Sequence, residues 1–127
     1  MAKILINSTL KTDECNHPIV NNNINGIYYD NKIIYNDGNI KVTLLLDDNK
    51  IEMKRLTKEY EIKMLFDVNN ETIGIYNIFD LNLKMDLEVQ TKMLKISNDC
   101  IMIMYCLKIN NEFIGNYDLK LEYNVLH

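Results

Sequence analysis

Arginine occurs once in this sequence, at Arg55, and it is the side chain best suited to bind an anion. It follows Ile51 and Met53 at alternate positions, which is the spacing of residues on one face of a β-strand. If that strand stays regular, the guanidinium faces the buried side. It then needs an ionic partner, which a carboxylate ligand would supply. If the register slips near Thr57, Arg55 is instead a solvated residue at the rim of the fold.

Three tyrosines are candidate companions of Arg55 in a ligand site. Alternation places Tyr105, Tyr117 and Tyr123 on the inward faces of their strands. A buried tyrosine combines an apolar ring with a hydroxyl that needs a hydrogen-bond partner. Such residues either line a cavity for a small apolar or amphipathic molecule or fill the core of a small barrel. The sequence leaves both alternatives open.

Residues for metal binding or nucleophilic catalysis are sparse. Cys15 and His17 form the only local pair of metal-ligand types, and no second pair completes a tetrahedral site. Nucleophilic catalysis needs a hydroxyl or thiol beside a base, and His17 is the only internal histidine. Because the four glycines are isolated, the sequence also lacks a glycine-rich phosphate loop. We therefore expect a non-enzymatic protein with no metal and no cofactor.

The elements that must position these side chains are β-strands, because apolar and polar residues alternate along most of the chain. Four segments carry the pattern most clearly: "IKVTLLL" (40–46), "YEIKMLF" (60–66), "LNLKMDLEV" (81–89) and "EFIGNYDLKLEY" (112–123). They place the following residues inward: Ile40, Val42, Leu44 and Leu46; Tyr60, Ile62, Met64 and Phe66; Leu81, Leu83, Met85, Leu87 and Val89; and Phe113, Tyr117, Leu119, Leu121 and Tyr123.

Turn-forming residues separate these runs. Asn, Asp and Gly cluster at 30–33, 36–39, 47–50, 67–70, 97–100 and 109–112, and such residues favour tight hairpin turns. The segment 51–65 fits two short strands, separated near Thr57 and Lys58, better than a helix. Pro18 begins a polar stretch that we expect to be a loop or an edge strand. Many short antiparallel strands predict an all-β barrel or sandwich.

The strand "CIMIMYCLKI" (100–109) is apolar on both faces. One face carries Ile101, Ile103, Tyr105, Leu107 and Ile109, and the other carries Met102, Met104 and Cys106. The outer face of a barrel is normally wet, so this second set needs a cover. Either the N-terminal strand, residues 2–10, or a second copy of the chain in a homodimer would provide it.

Composition sets limits on partners and location. The 127 residues, 47% of them hydrophobic, predict a single domain over 1–127. The net charge is −4 and the cations are scattered, so a nucleic-acid partner is not expected. The longest uncharged apolar run, 100–107, is too short for a membrane helix. Three cysteines cannot all pair within one chain, which favours a cytoplasmic location.

The order of the segments "GIYYDNKIIY", "KVTLLL", "DDNKIEMKR", "MLF", "TKMLKIS" and "LKINNEFIGNYDLKL" resembles the YwiB-like family of bacterial proteins, over roughly residues 24–123. The resemblance implies a small cytosolic up-and-down barrel of the calycin (lipocalin-like) type, with about eight or more antiparallel strands and no established function. It also implies a family arginine at Arg55. The family segment Tyr-x-Thr-Pro-Tyr-Gly is matched here by "IYNIFDL", which keeps Tyr76 but lacks the threonine, proline and glycine. Tyr76 thereby joins the candidate ligand-binding residues.

Overall fold

The computed structural model describes all 127 residues and contains ten β-strands and no helix. The strands are β1 (Ala2–Thr12), β2 (Ile19–Tyr29), β3 (Lys32–Asp37), β4 (Ile40–Asp47), β5 (Lys50–Leu56), β6 (Tyr60–Asp67), β7 (Thr72–Ile78), β8 (Leu83–Ile96), β9 (Cys100–Ile109) and β10 (Glu112–Val125). The chain has no helix long and apolar enough to cross a membrane.

The strands form a closed, antiparallel barrel in which each strand lies beside its neighbours in sequence. Closure comes from β1, which pairs with both β2 and β10. The ladder between β1 and β10 runs from Ile4 opposite Val125 to Thr12 opposite Tyr117. This confirms the all-β, up-and-down barrel of at least eight strands.

Tight turns join the strands where the sequence predicts them. Asn110 and Asn111 link β9 to β10 with φ angles of 52° and 64°, and Asp30 and Asn31 link β2 to β3 in the same left-handed region. Asn and Asp tolerate this conformation because their short side chains bond to nearby backbone. Such two-residue turns match the right-handed twist of a hairpin. The segment 51–65 also forms two strands, β5 and β6.

Apolar side chains fill the middle of the barrel. Eighteen buried residues form one cluster, and the largest fully buried side chain is that of Phe66. The other fully buried residues are Ile4, Ile6, Ile33, Val42, Leu44, Ile51, Val89, Ile101, Ile103 and Leu121. All of the inward positions predicted for β4 and β6 are buried or pack against this cluster, apart from the half-buried Tyr60 at the start of β6.

Three inward predictions are wrong for a local reason. Leu81 lies in the turn before β8, and Leu83 is exposed because β8 pairs with β9 only from Glu88 onward. Phe113 is 55% exposed because a bulge between Phe113 and Gly115 shifts the register of β10. The bulge places Phe113 opposite Lys108, on the outer face.

The polar stretch after Pro18 is strand β2 rather than a loop. Its first part, residues 19–25, pairs only with β1, because the ladder to β3 begins at Gly26 opposite Tyr35. The prediction of an edge strand is therefore correct for this part of β2. A bulge interrupts it at Asn23, whose φ is 59° and whose backbone N–H donates to Asn7 Oδ1 at 2.9 Å.

The barrel has two ends that differ in chemistry. At one end lie the connections β1–β2, β3–β4, β5–β6, β7–β8 and β9–β10. We call it the arginine end, because Arg55 lies close to it, near the end of β5. The opposite end carries the other four turns and both chain termini, and we call it the terminus end.

Candidate anion-binding site at the arginine end

Arg55 keeps the inward register of its strand. It lies opposite Val42 on β4 and Ile62 on β6, both of which belong to the core or pack against it. The side chain is half-buried, and none of the salt bridges of the protein involves it. An unpaired guanidinium inside a barrel has lost part of its hydration without gaining an ionic partner. The register slip that would have left Arg55 fully solvated does not occur.

Two buried tyrosines lie close to Arg55. Tyr35 and Tyr105 are 6% and 7% exposed, and burial raises the pKa of each to about 12 although the positive charge of Arg55 lowers it. Tyr105 lies on β9, so its interaction with Arg55 crosses the lumen of the barrel. With such pKa values, both hydroxyls are protonated donors at neutral pH. Neither hydroxyl has a hydrogen-bond partner in the protein, whereas that of Tyr123 does, and both hydroxyl oxygens keep access to solvent although their rings are buried.

An acidic side chain near Tyr35 is already engaged elsewhere. Asp37 follows Tyr35 on the inward face of β3, and its charge contributes to the raised pKa of that tyrosine. Its Oδ2 accepts a hydrogen bond from Asn21 Nδ2 at 3.2 Å, and Asp37 forms no salt bridge with Arg55. The arginine end therefore presents three unpartnered donor groups: the Arg55 guanidinium and the hydroxyls of Tyr35 and Tyr105.

Two more of the predicted tyrosines lie at the same end. Tyr117 stacks on Tyr105 with ring centroids 5.1 Å apart, and the two line a surface depression of about 210 Å³. Tyr76 lies two strands from Arg55 in the same cross-strand row, with Ile62 between them. Its ring centroid is 5.7 Å from that of Tyr60. Both predicted residues thus contribute to the wall of the arginine end.

Tyr123 lies at the terminus end, away from the others. Its hydroxyl donates to the backbone oxygen of Ser97 at 3.3 Å, and its ring stacks on Tyr28 at 6.1 Å. These residues line a separate, mostly apolar depression of about 350 Å³ together with Leu46 and Ile96. Tyr35, which sequence reasoning did not single out, takes the place beside Arg55. The alternation of Ile33, Tyr35 and Asp37 in "KIIYND" was the signal that could have found it.

Comparison with known proteins places this barrel in a family. A family model described as a domain of unknown function, DUF1934, matches residues 8–121. The chain belongs to the DUF1934 family. Its fold is similar to the crystal structure of the ywiB protein from Bacillus subtilis, with a TM-score of 0.65. The two are 12% identical, and the match covers 98% of this chain and 91% of that one. A search of curated proteins finds no match.

The predicted interface residues of this DUF1934 barrel lie on the outer face of β9. Cys106 is buried, and its Sγ donates to Gln90 Oε1 at 3.4 Å, so a neighbouring side chain covers it. Met104 is 38% exposed and lies opposite Met93, while Met102 is half-buried. The N-terminal strand does not cover this face, because as β1 it is hydrogen-bonded between β2 and β10 in the barrel wall.

The residue types that bind metals do not converge in this barrel. No group of three or more His, Cys, Asp or Glu side chains is arranged to hold a metal ion. Cys15 and His17 lie in the exposed β1–β2 connection. The donors that do converge, a guanidinium and phenol hydroxyls, are ligands for anions.

Proposed function

We propose that this protein is a non-enzymatic binding protein that takes up a small amphipathic molecule at the arginine end of the barrel. The observation that carries the proposal is the convergence of three unpartnered donors, the Arg55 guanidinium and the hydroxyls of Tyr35 and Tyr105. A carboxylate or similar anion would accept hydrogen bonds from all three. Arg55 supplies the charge, and the tyrosine rings supply apolar contact.

The filled core determines how such a ligand would lie. Apolar side chains occupy the middle of the barrel, so a long chain has no room to extend past Arg55 toward the terminus end. The anionic group would enter first, and the apolar part would lie along the tyrosines of the wall, Tyr76, Tyr105 and Tyr117. Such a ligand would lie in a shallow site with its anionic group innermost. The barrel fold alone does not justify this proposal, which depends on the three donor groups.

A cytoplasmic location belongs to the same proposal. It is supported by the three cysteines, Cys15, Cys100 and Cys106, all of which are free thiols. Free thiols are ordinary in a reducing compartment.

The test combines two measurements. Native mass spectrometry of protein purified gently from cells, beside a sample that has been unfolded and refolded, would detect a cargo that is lost on refolding. Titration calorimetry with octanoate, octanol and octylamine would then compare three head groups on one apolar chain. We expect octanoate to bind about tenfold or more tightly than octanol, because a charge-assisted hydrogen bond is worth about 1.4 kcal/mol or more.

Two variants connect the binding to Arg55. Arg55→Gln should abolish the preference for octanoate, whereas Lys54→Gln, next to it on the outer face, should not change it. Tyr35→Phe removes one hydroxyl without changing the packing and should weaken octanoate binding by itself, which keeps the test valid if Arg55→Gln does not fold. The proposal would be overturned if the native mass were that of the protein alone and the three probes bound with equal affinity.

A second candidate function is interaction with another copy through the outer face of β9. The observation that favours it is Met104, a large apolar side chain that stays exposed beside Met93 in the middle of a strand. Native mass spectrometry should then give a dimer for the parent protein and a monomer for Met104→Asp. A monomeric parent protein would remove this candidate.

A further inference from the structure

The arginine end contains an unpaired strand edge that the proposed function does not use. β8 starts at Leu83, but its ladder to β9 starts only at Glu88, opposite Lys108. Residues 83–87 therefore pair with β7 on one side and with no strand on the other. The free side faces the space beyond the β9–β10 turn at Asn110 and Asn111. We call the space between the β7–β8 and β9–β10 hairpins the notch.

The backbone of this edge can pair with an added strand. Successive residues of a strand direct their N–H and C=O groups to opposite sides, so every second residue of 83–87 directs them into the notch. An extended polypeptide laid there would continue the line of β9 and form the same kind of ladder. Recognition of a peptide by strand addition obtains affinity from main-chain hydrogen bonds and specificity from alternate side chains.

Exposed apolar side chains surround the notch. The β7–β8 hairpin carries Phe79, Leu81 and Leu83, and the β9–β10 hairpin carries Phe113 and Ile114, all of them at least one third exposed. Scattered apolar residues on a surface need no explanation, but five on two adjacent hairpins form a patch. An added strand would cover those on the inner face, such as Leu83, with the apolar half of its own alternating side chains.

The charges near the notch indicate which side chains the opposite face of an added strand would carry. Glu88 lies at the base of the notch, where its Oε2 is buried and has no hydrogen-bond partner, the single buried side-chain oxygen or nitrogen in the protein without one. Although Lys108 lies opposite on β9, the two form no salt bridge. An unpaired buried carboxylate oxygen is costly, and a cation from a partner beside the carboxylate would reduce that cost. Glu71 and Lys108 line the same depression as Glu88, and Asp86 lies on the same face of β8 two residues before it, so acidic side chains outnumber basic ones there.

We propose that the notch binds an extended polypeptide segment of another protein, with alternating apolar and basic residues, by strand addition to residues 83–87 of β8. Its apolar side chains cover the inner face of the notch around Leu83, and a lysine or arginine on its outer face lies beside the Glu88 carboxylate. This site is separate from the lumen at Arg55 and does not depend on a small-molecule ligand there.

The experiment uses two synthetic hexapeptides of alternating valine and lysine, one with ordinary amides and one N-methylated at every second amide. Hydrogen exchange measured on the full chain should show protection of amides in 83–87 with the ordinary peptide and none with the methylated one. Glu88→Gln should weaken binding about tenfold, since it removes the negative charge that attracts the basic side chain. Glu52→Gln, an exposed strand position elsewhere on the outer face, should leave the affinity unchanged.

The alternative outcomes are distinct. Equal binding of both peptides would overturn strand addition, and equal weakening by Glu88→Gln and Glu52→Gln would mean that only net charge matters. A dimer in native mass spectrometry that protects the same amides without peptide would make a second copy the occupant and overturn the proposed partner class. Arg55→Gln should leave peptide binding unchanged, which separates a failure here from a failure of the lumen site.

Discussion

The two buried tyrosines beside Arg55 make the stability of the barrel depend on alkaline pH. In the folded protein the pKa of Tyr35 and of Tyr105 is raised from 10.0 to about 12, chiefly by burial. Each pKa unit corresponds to about 1.36 kcal/mol, so each tyrosine contributes about 2.7 kcal/mol to the free energy of unfolding. Because the folded pKa is the higher one, this stability is fully present below pH 10 and is lost as the pH rises to about 12.

The combined loss is comparable with the whole stability of a small domain. Two such tyrosines give about 5 kcal/mol, and domains of this kind have about 5–15 kcal/mol in total. We therefore expect the free energy of unfolding to fall steeply between pH 10 and 12. The two phenols would ionise as the barrel unfolds rather than inside it.

Urea unfolding at a series of pH values, followed by circular dichroism, measures this loss. Tyrosinate absorbance recorded in parallel counts the ionised phenols among the eight tyrosines. Tyr35→Phe and Tyr105→Phe should each make the alkaline decline smaller. Arg55→Gln should steepen it, because the positive charge of Arg55 lowers both pKa values. If all tyrosines ionise near pH 10 while the circular dichroism stays native, the reasoning is refuted.

Three further predictions concern the fold that carries the site. Asp67 accepts hydrogen bonds from the Asn70 side chain and the Asn69 backbone, which lower its pKa; Asp67→Asn should therefore lower the melting temperature at neutral pH. The difference from the parent should shrink as the pH falls below about 4, the unfolded carboxyl value, and a constant difference would contradict this origin. Phe66→Ala should cost about 3–5 kcal/mol in urea unfolding, because it empties a fully buried site, and an equal loss for the exposed Phe79→Ala would contradict this. Gly74→Ala should unfold the protein at lower urea concentration, since its Cβ would collide with the backbone oxygen of Lys63, and an unchanged midpoint would refute that close approach.

The sequence predicted which face of a strand each residue occupies better than it predicted the position of that residue along the barrel axis. Alternation correctly predicted that Arg55, Tyr105 and Tyr123 face inward, since the side of a strand that a residue occupies follows from the two-residue period alone. It could not show that Tyr123 lies at the terminus end, because the position of a residue along the barrel axis depends on the stagger between strands all around the barrel. For the same reason it could not show that Tyr35 and Tyr105, on distant strands, both lie near Arg55.

The remaining errors come from backbone features with weak side-chain signals. The asparagine-rich start of β2 forms a strand because its main chain pairs with β1, whatever its side chains favour. Phe113 points outward because a single bulge reverses the facing of the residues before it. Leu83 is exposed because β8 is longer than the ladder that covers it. Each of these depends on the length or register of a neighbouring strand.

The pairing of the first strand with the last has a consequence for biosynthesis. During translation β1 emerges first, but its partner β10 is complete only when Val125 has been made. Until then β1 and β9 each present an open edge, and the contacts that seal the edge of β1 span almost the whole chain. Folding through such distant contacts is slow, and open edges invite pairing between nascent chains. A chain that stops before Glu112 would keep both edges, so premature termination should produce aggregates rather than a smaller barrel.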